Sequence, residues 1–399
     1  MVNRRRPAGW LYLAAFIGIG MSLTMLGPSL TYLRERTGST KGEIAILFVT
    51  SSIGYLVGSL LSGRLYDRGW GHSALAGGLL GLAFSGLLIP HMSTVATLCI
   101  PFTLLGVFTG FVDVGGNTLV VWYSRGGESS RLLNALHLCF GVGALLCPLL
   151  VNRSLVITDG LGLAVGVIAV YTCVVAGLVL VHETPEPLVE QSVDVAGEPL
   201  PVAQTPARIL LIVGVFFFIY VGIELGFSGW LKTYAEGIEL PGVNSPTILN
   251  TLFFVCFTFG RLLAVLLAKR IHAGPMLFGS CALSAGCAFV MTIGDGSPAI
   301  VWSMTSLMGI TLAPQFATMI AYTEEHISLT GRSTSWFIAA AGFGGLALPY
   351  LIGQMLDSSS GAMPAVVFVA ATAATLWLFV VRTTLVNHRG VPAELVHVY

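Results

Sequence analysis

Apolar positions run along this chain in long, nearly unbroken stretches. Twelve of them follow one another, over residues 10–33, 42–66, 72–92, 95–123, 132–152, 161–181, 207–235, 247–270, 274–294, 297–321, 332–356 and 363–382. At ~1.5 Å per residue, a helix of about 20 residues crosses a ~30 Å hydrocarbon core, so each stretch predicts one membrane span. The one long hydrophilic interruption is His182 to Pro206, which carries Glu183, Glu186, Glu190, Asp194 and Glu198 together with five prolines. That is the composition of a linker, and it divides the spans six and six.

Composition agrees with the pattern. The 399 residues are 55% hydrophobic and 10% charged, against about 25% charged in soluble domains. Nineteen Lys and Arg balance nineteen Asp and Glu, so the chain has no nucleic-acid footprint. A soluble enzyme, a DNA-binding protein and a disordered scaffold are excluded, and the lipid bilayer is the expected surrounding. The seven cysteines lie in apolar segments without a C-x-x-C pair and are read as packing residues. Arg4, Arg5 and Arg6 before an apolar stretch imitate a signal peptide, but the stretch runs too long and is expected to be an uncleaved first span. With a cytoplasmic N-terminus, thirteen Lys and Arg fall on that side and five on the other, which satisfies the positive-inside rule and puts both termini in the cytoplasm of a plasma or inner membrane protein.

The halves repeat each other. A shift of 202 residues lays Ile219…Gly222…Tyr234 on Ile17…Gly20…Tyr32, and Gly260-Arg-Leu-Leu263 on Gly58-Ser-Leu-Leu61; a shift of 201 lays Gly342-Phe-Gly344…Pro349 on Gly141-Val-Gly143…Pro148. Parallel six-span repeats of this kind resemble the major facilitator transporters. The resemblance implies an all-α integral membrane fold of twelve transmembrane helices, arranged as two pseudo-symmetric six-helix bundles with a central cavity between the halves. The expected domains are 1–181, a linker at 182–206, a second bundle at 207–382 and a tail at 383–399.

Charge inside a span costs about 2.5–3.5 kcal/mol per group on insertion scales, so each case needs a reason. Asp113 in span 4 shares one helix face with Gly106, Gly110 and Asn117, at spacings of four, three and four. The glycines admit a neighbouring backbone or a ligand, and the polar pair needs water, substrate or a partner. Span 5 presents Asn134, His137 and Gly141 on one face. Counted from the cytoplasmic ends, Asp113 and His137 differ in depth by ~6 Å, so the two could act as a proton or cation relay. A packing stripe and a core histidine are the plainer alternatives.

Glu224 in span 7 stands four residues after Tyr220, among Gly222, Gly226 and Gly229, which are expected to interrupt the helix as a gate would require. Trp230 could stack on a sugar ring or belong to an interfacial aromatic belt. Asn117, Asn134, Asn250, Gln315 beside the Ala313-Pro314 kink, and Trp336 supply the carboxamides and aromatic faces that hold a neutral polyol. Arg261 is the lone intramembrane base and is expected to serve in gating, with Asp113, the His137 face or Glu324 as its candidate partners.

Between spans 2 and 3, Gly63-Arg-Leu-Tyr-Asp67-Arg68-Gly-Trp-Gly71-His72 resembles the major facilitator signature G-x-x-x-D-R-x-G-R-[RK], departing from it at the second glycine and at the basic pair. The resemblance implies that Asp67 and Arg68 latch the cytoplasmic side in one state. Asp113-Val-Gly-Gly-Asn117, Asn134…His137…Pro148 and Tyr220…Glu224…Trp230 are similar to the fucose-permease-like branch, especially the sodium-dependent glucose transporter group. By implication the protein couples a hexose to a proton or sodium ion, with Asp113 and His137 as coupling residues. Its partners are then a small sugar and the bilayer, the expected state is a monomer, and no cofactor, metal ligand set, nucleic acid or enzymatic activity is expected. The competing readings are a multidrug or amphiphile efflux antiporter and a non-transporting receptor on the same fold; cavity carboxamides argue against the first, and the cost of buried acids against the second. Asn152-Arg-Ser154 is a glycosylation sequon on the expected outer side.

Overall fold

The structure, a computed structural model, describes residues 9–39, 41–44, 46–124, 129–186, 205–242, 245–294, 296–356 and 361–389. They form fifteen α-helices. In the first half these are α1 (Trp10–Leu23), α2 (Leu26–Thr37), α3 (Lys41–Ile44), α4 (Ile46–Asp67), α5 (Gly71–Leu88), α6 (Val95–Ser124), α7 (Ser129–Thr158) and α8 (Gly162–Leu180). The second half holds α9 (Ala207–Gly237), α10 (Ser245–Leu267), α11 (Ala273–Ile293), α12 (Pro298–Leu312), α13 (Gln315–Glu324), α14 (Gly331–Leu356) and α15 (Ala362–Arg389). Twelve segments among the described residues are long and apolar enough to cross a membrane, and each coincides with an expected span to within a few residues. Only helices satisfy every backbone N–H and C=O within one segment in lipid, which is why apolar runs of this length become helices here.

Several details differ from the sequence reading. Span 1 is broken at Thr24 and Met25 into α1 and α2, and span 10 is broken at Ala313 and Pro314 into α12 and α13. Pro314 has no N–H to donate, so the second break is expected. Span 7 is not interrupted: α9 runs unbroken for 31 residues. Gly222 and Gly226 serve packing instead, since a Cβ at either would press on Leu348 and Ile352 of α14. Helix α7 continues to Thr158, so Arg153 and the 152–154 sequon lie inside a helix rather than in a loop. Asn152 is exposed, whereas Ser154 is fully buried and its hydroxyl donates to the Gly160 carbonyl. Residues 383–389 extend α15 rather than belonging to a tail. Most of the expected linker, 187–204 with Glu190, Asp194 and Glu198, lies outside the described residues, as do 390–399.

By packing, the chain divides into two units. Unit 1 comprises 1–127, 135–202 and 329–339; unit 2 comprises 128–134, 203–328 and 340–399. The internal repeat is visible in the packing of each. In unit 1 a Cβ on Gly143 would collide with the Ile17 carbonyl, and in unit 2 a Cβ on Gly344 would collide with the Phe218 carbonyl, the same contact displaced by 201 residues. Likewise Gly106 is pressed on the Ser51 carbonyl and Gly309 on the Phe253 carbonyl. Small residues let backbones meet where lipid offers no hydrophobic drive for helix association.

Candidate functional site

In unit 1 the site begins with glycine. Gly54 and Gly58 of α4 lie against the backbone of α6, and Gly106 and Gly110 of α6 lie against that of α4. This close approach carries Tyr55 to Asp113, whose Oδ2 accepts the phenol hydroxyl at 2.6 Å. Asn117, one turn along α6, donates its Nδ2 to Asp113 Oδ1 and to the Asp113 carbonyl, both at 2.9 Å. With its nitrogen so used, the carboxamide turns its oxygen to His137 of α7, 3.3 Å from Nε2, so the imidazole is the donor. Phe16 sets its ring edge-on to that imidazole at 5.6 Å. The acid and the histidine expected to share a relay are therefore linked through Asn117. Asn117 is fully buried with both amide ends engaged, the geometry of a connector rather than of a ligand contact. No Lys or Arg pairs with Asp113 among the described residues.

A cavity of about 310 Å³ opens beside this cluster. Five hydroxyls line it: Ser22 and Thr24 at the α1–α2 break, Ser51 and Ser52 of α4, and Thr109 of α6. Its other lining residues are apolar or glycine, and none is ionisable. Thr109 precedes Asp113 by four residues, so cavity and acid share a face of α6 one turn apart. Tyr55 and these hydroxyls were not singled out from sequence. The signal present was Gly54-x-x-x-Gly58 in span 2, which marks a close helix contact and so marks its neighbour Tyr55.

Unit 2 carries a different set. Tyr220 is fully buried on α9, its hydroxyl makes no hydrogen bond of ordinary geometry among the described residues, and its charged neighbours are Glu224 and Arg261. Arg261 of α10 is 6% exposed, lies over the Phe257 ring at 4.5 Å and faces Glu224 electrostatically. The expected partners of Arg261 were Asp113, the His137 face or Glu324; the packing of α9 on α10 brings Glu224 within its electrostatic reach. Asn250 of α10 holds a buried Oδ1 with no partner among the described residues. Asn134, fully buried, donates to the Ser130 carbonyl at 2.8 Å and leaves its Oδ1 unsatisfied. Gln315 is 1% exposed and its Nε2 donates to Ser284 (2.9 Å) and to the Thr311 carbonyl (3.1 Å), which ties α11, α12 and α13 together. Trp230 donates its indole N–H to the Pro349 carbonyl at 2.7 Å, which fixes the ring on α14. Trp336, assigned to unit 1, is half exposed.

The signature residues occupy the end of unit 1. Asp67 accepts the backbone N–H of Gly331 at 2.5 Å on Oδ1 and that of Arg332 at 2.9 Å on Oδ2, and so caps the start of α14. Trp122 donates to the Leu329 carbonyl at 3.0 Å nearby. Arg68 is exposed and makes no ion pair among the described residues. In unit 2, Glu324 at the end of α13 accepts the hydroxyl of Ser129, the first residue of α7, at 2.7 Å.

Residues 12–349 match the Major Facilitator Superfamily. The mouse sodium-dependent glucose transporter 1A is 27% identical over 374 residues, spanning 85% of this chain and 87% of its own. The human sodium-dependent glucose transporter 1 is 26% identical over 403 residues, spanning 92% of this chain and 77% of its own. Among solved structures, the transporter FucP in its outward conformation superposes with a TM-score of 0.79 at 15% identity, over 94% of this chain and 98% of that one. The proton:xylose symporter XylE bound to 6-bromo-6-deoxy-D-glucose gives 0.74 at 12% identity, over 93% and 94%. At those identities the solved structures speak for the fold. On the twelve spans, the repeated packing and a family match over most of its length, this chain belongs to the Major Facilitator Superfamily.

Proposed function

We propose that the protein is a secondary active transporter that moves a neutral sugar, a hexose in the first instance, coupled to a cation by alternating access, as a monomer with both termini in the cytoplasm. The observation that carries this reading is Asp113. It is an acid inside a span, held by two neutral donors and paired with no lysine or arginine among the described residues. An acid so placed can take up and release a cation, whereas one locked to an arginine cannot do so cheaply. Beside it, a cavity lined by hydroxyls and free of ionisable groups suits a polyol better than an amphiphilic cation. The relatives' names and the sugar-symporter neighbours support the same reading.

In this scheme Asp113 and His137 handle the ion, with Asn117 joining them. Glu224, Tyr220, Asn250 and Asn134 offer polar groups to the sugar, and Trp230 and Trp336 offer ring faces. Gln315 positions the α12–α13 kink. Asp67 and Arg68 act at the cytoplasmic latch, and Arg261 holds Glu224. The hydrogen-bonded run from Asp113 to His137 favours a proton as the coupling ion, while the relatives' name favours sodium.

The test is uptake of labelled glucose into proteoliposomes of the purified protein, with proton and sodium gradients imposed separately. Accumulation above equilibrium under either gradient supports the proposal and identifies the ion. Uptake that merely equilibrates, or that occurs for amphiphilic cations but for no hexose, overturns it.

A further inference from the structure

At one end of unit 2, where α9 begins and α15 finishes, donors collect that nothing among the described residues uses. A groove of about 260 Å³ is lined there by Arg208 and Ile209 from α9 and by Thr383, Thr384, Asn387 and His388 from α15. Among the described residues no carboxylate lines it. Arg208, Asn387 and His388 are exposed, and their side chains make no hydrogen bond or ion pair among the described residues. Thr383 turns its hydroxyl hydrogen back to the Phe379 and Val380 carbonyls at 3.0 Å, which leaves its oxygen exposed above them. A guanidinium, a carboxamide, an imidazole and the Thr384 hydroxyl together present more N–H and O–H groups than one water could satisfy. They suit an anion with several oxygens, and a phosphate diester is the common one at a membrane surface.

The surroundings decide what carries that anion. Leu211, three residues beyond Arg208 on the same face of α9, is 68% exposed; on α15, Phe379, one turn deeper than Thr383 on its face, is 54% exposed. Both helices are membrane spans, over Ala207–Gly237 and Ala362–His388, so these apolar side chains face lipid and the donors stand where the span ends. Trp377 of α15 donates its indole N–H to the Ile212 carbonyl of α9 at 2.8 Å and ties the two helices together on the membrane side of the donors. An occupant therefore lies on the outer side of the helix pair, with a polar head above and an apolar body below. A free phosphate matches the first half of that description and not the second.

We propose that this groove binds the phosphate headgroup of an anionic membrane lipid, with its acyl chains along Leu211 and Phe379. The site is separate from the polar clusters of the transport reading and does not depend on that reading.

The experiment uses the full-length protein in mild detergent and follows lipid retention by native mass spectrometry and unfolding temperature by thermal melt. The probes are phosphatidylglycerol, phosphatidylcholine with the same acyl chains, and inorganic phosphate. Phosphatidylglycerol is expected to be retained and to raise the unfolding temperature, while the other two do neither. Arg208→Gln lowers phosphatidylglycerol retention about fivefold, the equivalent of one interfacial basic residue. Asn387→Ala lowers it as well and carries the test should Arg208→Gln fail to fold. Arg270→Gln, an exposed arginine outside the groove, keeps wild-type retention. Equal retention of the two lipids, unchanged retention in both groove variants, an equal loss in Arg270→Gln, or a phosphate response matching the lipid would each overturn the proposal.

Discussion

Asp113 and Glu224 are the same chemistry in opposite settings. Tyr55 and Asn117 give Asp113 hydrogen bonds without compensating its charge, whereas Glu224 has a guanidinium as its neighbour. Asp113→Asn keeps the shape and most of the hydrogen bonding but cannot exchange a charge with a cation. We expect it to abolish gradient-driven accumulation while leaving sugar counterflow measurable, and undiminished uphill uptake would remove Asp113 from the coupling role. Arg261→Gln has a different expected signature. It leaves the Glu224 carboxylate inside a span without the guanidinium near it, and should lower the melting temperature. The double variant Glu224→Gln/Arg261→Gln removes both charges and should melt above the single variant in detergent. A double variant that melts no higher than Arg261→Gln would show that the two residues are not coupled.

Among the elements, glycine decides which helices touch and therefore which side chains meet. A methyl at Gly106 would run into the Ser51 carbonyl, so Gly106→Ala must push α4 away from α6 and lengthen the Tyr55–Asp113 bond. Overpacking of this kind costs about 1–3 kcal/mol. The expected result is a lower melting temperature together with reduced uptake. At Gly77 of α5 an added methyl would meet nothing within 4 Å, so Gly77→Ala should be neutral or slightly stabilising through helix propensity. Equal melting temperatures for the two variants would contradict this account of the packing. The same reasoning explains why α9 is unbroken despite its glycines. Gly222 and Gly226 are buried against α14, and lipid gives a helix no water to replace a broken backbone bond.

For the molecule as a whole, the polar chemistry departs from the repeat that the backbone keeps. At a shift of 202, Asp113 corresponds to Gln315, Ser59 to Arg261 and Ser22 to Glu224, so equivalent helices carry unlike groups and the two units cannot perform one task in duplicate. In the proposed reading the helix-end contacts bear on the transport cycle. Asp67 caps the first two N–H groups of α14, and loss of such a cap costs about 1 kcal/mol. Asp67→Ala should therefore shift the balance between conformations about fivefold and lower the maximal uptake rate while the sugar affinity stays near wild type. A change in affinity with an unaltered maximal rate would place Asp67 at the binding step instead.

How much of this was legible in the sequence follows from the ranges over which each effect acts. The spans, their number and the family resemblance lie in local composition, because a bilayer tests each segment on its own for length and apolarity. Asp113, Asn117 and His137 were legible for a similar reason, since an acid inside an apolar run is costly wherever it ends up and helical spacing puts it on one face with its neighbours. Contacts between helices were not legible. Tyr55 reaches Asp113 across 58 residues and Trp122 reaches Leu329 across 207, and the nearness of Glu224 to Arg261 rests on α9 packing against α10. Whether a glycine breaks a helix or seats it was equally undetermined, since Gly222 and the glycines of α6 look alike in sequence and differ only in what lies opposite. Local hydrophobicity settles which segments cross the membrane; which polar groups meet inside it is decided by the close packing of backbones that are distant along the chain.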